Sequence, residues 1–288
     1  MRFYLAALAI VLSSSAMAEW KYTESRDEMR DVVTKTASLE SLPSADNGGG
    51  TLIVTAVQSG DKSGLSIAIT QGNLGCAEQL CSVNMRFDSG RIIELKAIPA
   101  DGRPNALYAQ DPNLFVATAK LASQLIIEVP VIRGGRQQFK FELQGLSLDP
   151  VITKKGELVD GVAGFKWGNS LEPGDRFAPG RNPSGREKCF INTRSEKIAG
   201  QPVKSLTLCT LDDRLVKAIF ETEKKPGKLI RKQIDKAIGK PETDYEGTWT
   251  NWSNQIDSSL IDASVLSGTT FVISYSPLEN LEPPSQKK

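Results

Sequence analysis

Histidine is absent from all 288 residues. A Ser-His-Asp or Cys-His nucleophile needs an imidazole base, and a histidine-ligated zinc hydrolase needs imidazole ligands, so both classes are excluded. Any remaining chemistry would run on carboxylates, on lysine, or on metals bound through oxygen. A charge excess is also missing, because 35 Lys plus Arg stand against 34 Asp plus Glu. Binders of nucleic acid or anionic membrane carry a basic excess or stripe. The short run Glu223-Lys224-Lys225 followed by Lys228 reads instead as a solvated turn and helix start. Gly48-Gly49-Gly50 is followed by neither Lys-Ser nor a helical pattern, so it is no phosphate loop, and no stretch fits the calcium-loop pattern. Long apolar runs are scarce. The run from Phe3 to Leu12 is about half of the roughly 20 residues that cross a bilayer.

That run sits in a secretory layout. Arg2 precedes it, and Ala16-Met17-Ala18 closes it as an A-x-A exit, which predicts a signal peptide over residues 1–18 with cleavage between Ala18 and Glu19. Glu19-Trp20 follows rather than a lipidated cysteine, so the mature chain is expected to be soluble, without a membrane span, in the bacterial periplasm or the medium. Loss of Arg2 turns 35 basic residues into 34 and leaves the 34 acids, a neutral mature protein.

Only four cysteines are present: Cys76, Cys81, Cys189 and Cys209. In an exported protein an even count reads as disulfides. Of three pairings, local closure is simplest: Cys76 with Cys81 around a turn, and Cys189 with Cys209 between neighbouring strands. A four-thiolate zinc site would need two tight C-x2-C pairs, whereas the spacing is C-x4-C and C-x19-C.

Residues 19–148 read as short strands separated by turns: 20–25, 32–40, 51–58, 65–70, 82–87, 91–97, 125–132 and 137–143. One helix interrupts them, capped by Asp111 and carrying Leu114, Ala117, Leu121 and Leu125 on one face. This predicts a β-sandwich or barrel-like domain crossed by one short helix. Residues 149–164 form the linker candidate. Residues 165–281 read as α+β, with strands near 187–193, 203–210, 214–222, 247–252, 258–263 and 269–275. A helix from Lys228 to Ile238 places Ile230, Ile234 and Ile238 on one stripe and ends at Gly239. The tail 282–288 is expected to be disordered. The fold class is therefore mostly β with α+β.

No catalytic constellation assembles from these patterns. Asp212-Asp213 falls at a hairpin turn, where Asx-type turn chemistry explains it better than paired acid–base work. Ser59-Gly60-Asp61-Lys62 spells S-x-x-K, but in a Gly-rich hairpin and not at a helix start. Trp249 and Trp252 are the leading candidates for an interaction surface, with Trp167 a third; for each, core packing is the competing reading. Trp20 reads as core.

Two resemblances follow from local patterns. Trp20-Lys21-Tyr22, Asp27-Glu28-Met29, then Gln137-Gln138-Phe139-Lys140-Phe141 and Gly145-Leu146 resemble a β-rich N-terminal domain of exported bacterial and prophage proteins of unknown function, over residues 19–148. Phe165-Lys166-Trp167-Gly168-Asn169-Ser170, the Ile234–Gly239 exit before Lys240-Pro241, and Trp249 or Trp252 are similar to envelope modules of the BamE and β-lactamase-inhibitor-protein type. Pro173 and Gly174 depart from that plan at its first helix. Such modules act by contact. The expectation is an exported, non-enzymatic protein that works through protein or envelope contacts, its second domain carrying the surface and no cofactor being used. The alternatives are a carboxylate-based hydrolase of cell-wall polymer or glycan, and a small-ligand carrier using the interior of the first domain.

Overall fold

The computed structural model describes residues 19–43, 50–76, 81–110, 112–151, 157–172, 174–180, 186–192, 194–237, 243–245, 249–252, 261–266 and 269–281. The expected leader 1–18, the turn residues Gly48-Gly49, the helix cap Asp111, the helix end at Ile238-Gly239 and the tail 282–288 lie outside them. The chain is mostly β with α+β additions, as its alternating patterns predict. No helix among the described residues is long and apolar enough to cross a membrane.

Nine antiparallel strands make the first sheet: β1 (Lys21–Asp27), β2 (Val32–Glu40), β3 (Leu52–Ser59), β4 (Lys62–Ile69), β5 (Cys81–Phe87), β6 (Ile93–Ala100), β7 (Arg103–Ala109), β8 (Gln124–Val131) and β9 (Gly135–Glu142). Their order is β1-β2-β3-β4-β7-β6-β5-β8-β9. The sheet curls until its ends meet. Leu42 N donates to Lys140 O at 2.8 Å, and Trp20 Nε1 donates to Leu143 O at 3.2 Å, so the region is barrel-like and a single sheet. Every second residue of β3, β4, β5 and β8 points inward, as the two-residue pleat requires. Phe87, Phe115, Phe139 and Phe141 fill the interior.

Two expectations about this region are corrected. Arg103–Ala109 is the strand β7, which Pro104 conceals because proline removes a ladder donor. The helix α1 (Pro112–Ala119) is shorter than its apolar stripe implied. Leu125, counted on that stripe, belongs to β8 opposite Phe87, because strand pairing with β5 outcompetes another helical turn.

The second sheet has eight strands: β12 (Phe177–Pro179), β13 (Glu187–Asn192), β16 (Ser205–Leu211), β17 (Arg214–Glu221), β18 (Thr243–Tyr245), β19 (Trp249–Trp252), β20 (Ile261–Leu266) and β21 (Thr270–Tyr275), in the order β12-β13-β16-β17-β21-β20-β19-β18. Two small hairpins stand apart, β10 (Gly161–Val162) with β11 (Phe165–Lys166) and β14 (Glu196–Ile198) with β15 (Gln201–Val203). The helix α2 (Lys224–Ala237) buries Ile230 and Ile234 in a core shared with Leu206, Leu208, Phe220 and Phe271. Within the connector 149–164, Leu158 and Val162 are buried in that same core.

A short helix, α3 (Ser276–Glu279), ties the halves together. Leu278 and Leu281 join Leu211 and Val216 in the core of the first sheet, and Arg91 donates from Nε and Nη2 to Asn280 Oδ1 at 3.0 and 2.9 Å. Tyr275 packs against both cores.

Candidate functional site

Among the described residues, the face of the second sheet turned away from α2 carries the one group of three potential metal-ligating side chains. In β13, Phe190 packs toward the α2 core, so alternation sends Glu187 and Cys189 to the other face. In β16, Leu206 and Leu208 point toward α2, and Cys209 therefore lies opposite, directly across from Cys189 in the register. The two form a disulfide with Cα atoms 4.0 Å apart. Cys76 and Cys81 form the second disulfide, Cα atoms 5.3 Å apart, pinning the turn that enters β5. Both pairings are those that local closure predicts. Each is worth roughly 2–3 kcal/mol in the loop-entropy account.

A bulge completes the site. The register between β16 and β17 shifts between Cys209 and Thr210, so Cys209 faces Lys217 while Thr210 faces Leu215. Leu215 and Ala218 both point toward α2, and the extra residue lets Val216 and Lys217 turn to the far face together. A bulge re-aims side chains in this way. Val216 enters the contact with the first sheet. Lys217 places Nζ 3.5 Å from Glu187 Oε1, a carboxylate that is 8% exposed. One carboxylate oxygen of Glu187 and the sulfurs of Cys189 and Cys209 all lie within 4.8 Å of one another, and all three residues are buried.

At the end of this face, Asp212 and Asp213 form the two-residue turn from Leu211 to Arg214, with φ of 49° and 64°. Two consecutive left-handed residues suit the twist of a tight hairpin, and aspartate tolerates them. Each aspartate is committed to a cation. Arg186 Nε donates to Asp212 Oδ1 at 3.1 Å, with Nη2 to Oδ2 as the second arm, and Lys188 Nζ donates to Asp213 Oδ1 at 2.7 Å. The Arg186 hydrogen bond, helped by the fields of Arg214 and Lys188, holds the Asp212 carboxyl below its ordinary 3.8. The pair thus does the turn work that its position in the sequence predicts, and each member also holds an ion pair that the sequence did not announce.

Of the three tryptophans offered as surface, Trp167 is corrected to core. It is 7% exposed, sits among Leu158, Val162 and Phe177, and its Nε1 donates to Leu158 O at 3.0 Å. The indole is buried because its one polar atom finds a partner there. Residues 165–170 form β11 and a bridge from Ser170 to Arg214 rather than a helix. Trp249 and Trp252 lie in β19, and their side chains fall outside what is described. Glu19, at the expected cleavage point, is exposed.

Sequence reading passed over Glu187 and Lys217. The spacing Glu187-x-Cys189 within a strand was enough to put a carboxylate beside a sulfur. The approach of Lys217 depends on the bulge, which leaves no local mark.

Comparison with protein-family models, with curated proteins and with solved structures yields no match for this chain.

Proposed function

We propose that the chain is an exported, non-enzymatic protein that acts by contact with a protein or envelope partner in an oxidising compartment. The observation that carries this reading is β1. Its residues from Lys21 to Arg26 are all exposed, so both faces of the strand meet solvent. The hairpin continues through Met29, 93% exposed at its tip, to Val33. Ordering backbone costs roughly 1–2 kcal/mol per residue. Core burial returns little of that here, and a partner surface supplies the reason to hold the strand extended.

Among the described residues β2 is the one strand paired with β1; at the start of β1 the Tyr22 hydroxyl donates to Gly145 O and accepts from Ser147 N, and past that point the other edge, from Thr23 to Asp27, is open to strand addition. Lys21, Glu24, Arg26 and Asp27 put mixed charge on that edge, which guards it against indiscriminate pairing and lets a complementary segment bind selectively. The two disulfides support the oxidising compartment.

A photo-cross-linking amino acid at position 29, expressed in the native host, tests this reading. A parallel variant carries it at position 252 in β19, and another at the exposed Lys232 of α2 serves as control. The expected result is a discrete adduct from position 29 and none from 232. An adduct from 252 alone moves the surface to the second sheet. No adduct from either 29 or 252 rejects the contact reading.

A further inference from the structure

The Glu187, Cys189, Cys209 and Lys217 group has a use that contact with a partner does not require. In the oxidised protein the two sulfurs satisfy each other. Once the bond opens, both remain on one face of two hydrogen-bonded strands, beside a buried carboxylate. We propose that reduction of Cys189–Cys209 creates a binding site for one thiophilic divalent cation of the zinc or cadmium class, closed while the bond is intact and open once it is broken.

The donor geometry is close to what such a cation needs. Tetrahedral zinc with sulfur at about 2.3 Å and carboxylate oxygen at about 2.0 Å sets neighbouring ligand atoms roughly 3.3–3.8 Å apart. Here the two sulfurs are joined in the oxidised protein and the Glu187 oxygen lies within 4.8 Å of both; once the bond opens, the sheet register keeps all three backbones in place. Rotation about side-chain bonds brings them onto one ion without separating the strands. A fourth position is left for water, as in zinc sites with three protein ligands.

Charge also balances. Two thiolates and one carboxylate bring three negative charges to a divalent ion, leaving one. Lys217, whose ammonium lies 3.5 Å from Glu187, matches it. A loaded site is therefore neutral as a whole, which a buried position demands.

The opening step uses a dithiol reductant. Its thiolate attacks Sγ of Cys189, the less deeply buried of the two residues, and the S–S bond breaks with its electron pair leaving on Cys209 Sγ, which takes a proton. The second thiol of the reductant then displaces Cys189, and the reductant departs as its own disulfide, having supplied two electrons and two protons. Cation binding releases both thiol protons to solvent.

The test uses the full chain carrying Cys76→Ser and Cys81→Ser, so that the cysteines of the site alone remain. Oxidised and dithiol-reduced samples, freed of reductant under nitrogen, are titrated with Co2+ as a spectroscopic stand-in for zinc. The reduced sample is expected to bind one Co2+ per chain with a thiolate-to-cobalt charge-transfer band, and the oxidised sample none. Zn2+ should displace it. Glu187→Gln should weaken binding at least about tenfold, and Cys189→Ser should abolish the band. Equal binding by oxidised and reduced protein, an unchanged band in Cys189→Ser, or loss of the folded circular-dichroism spectrum on reduction overturns the proposal.

Discussion

Gly90 shows how closely the two halves approach. A Cβ there would lie 2.0 Å from Asn280 O and 2.9 Å from Phe87 O, both backbone atoms that have little freedom to yield. Gly90→Ala is therefore expected to destabilise the protein by about 1–3 kcal/mol or more through overpacking, read as a lower urea midpoint. Tyr275 makes a separate prediction. Burial pushes its phenol from 10.0 up to about 12. Because the folded state favours the neutral phenol, the stability this confers is complete below pH 10 and is lost as pH rises toward 12. Tyr275→Phe should flatten that alkaline decline in a series of denaturant midpoints. A wild-type midpoint that stays constant from pH 9.5 to 11.5 would contradict the assignment.

Helix α2 illustrates what local pattern can and cannot say. The four-residue spacing of Ile230 and Ile234 marks the buried stripe, and both are fully buried against the sheet. Ile234→Ala should cost about 2–5 kcal/mol, while Leu229→Ala, on the exposed side, should stay within roughly 0.5 kcal/mol of wild type. A small effect at Ile234 would mean that α2 is not docked as described. The helix starts at Lys224, four residues before Lys228, because Pro226 is tolerated in a first turn whose N–H groups lack helical partners anyway. Most long strands were legible from alternation and Gly-bearing turns, as were the two disulfides. The short strands of the second half, the bulge at Val216 and the helix α3 were not. The short hairpins β10–β11 and β14–β15 have too few residues to show an alternation, while Lys217 is placed by Glu187 thirty positions away and Leu278 by the first sheet. The stripe that over-extended α1 failed for the same reason, since Leu125 answers to Phe87 and not to its helical neighbours.

At the scale of the molecule, two sheets are joined by one continuous apolar contact running through Val216, Tyr275, Leu278 and Leu281. Halves whose cores meet along such a seam should unfold together. Two variants report on this, one keeping only Trp20 in the first core and the other only Trp167 in the second. Their fluorescence midpoints in urea are expected to coincide in an otherwise native background. They should separate when Gly90→Ala is added, because the wedge at Asn280 loosens the seam while leaving each sheet its own ladder. Separate midpoints without that substitution would show the seam to be a weak coupling.

The hydrogen bond from Arg91 to Asn280 spans 189 positions. The barrel's last strand ends at Glu142, so during synthesis at about 5–20 residues per second the barrel would emerge roughly seven to thirty seconds before the piece that seals it. For that interval a nascent chain would present a greasy, unsealed flank beside Phe87, the moment at which a holding chaperone has most to grip and a stray neighbour most to stick to.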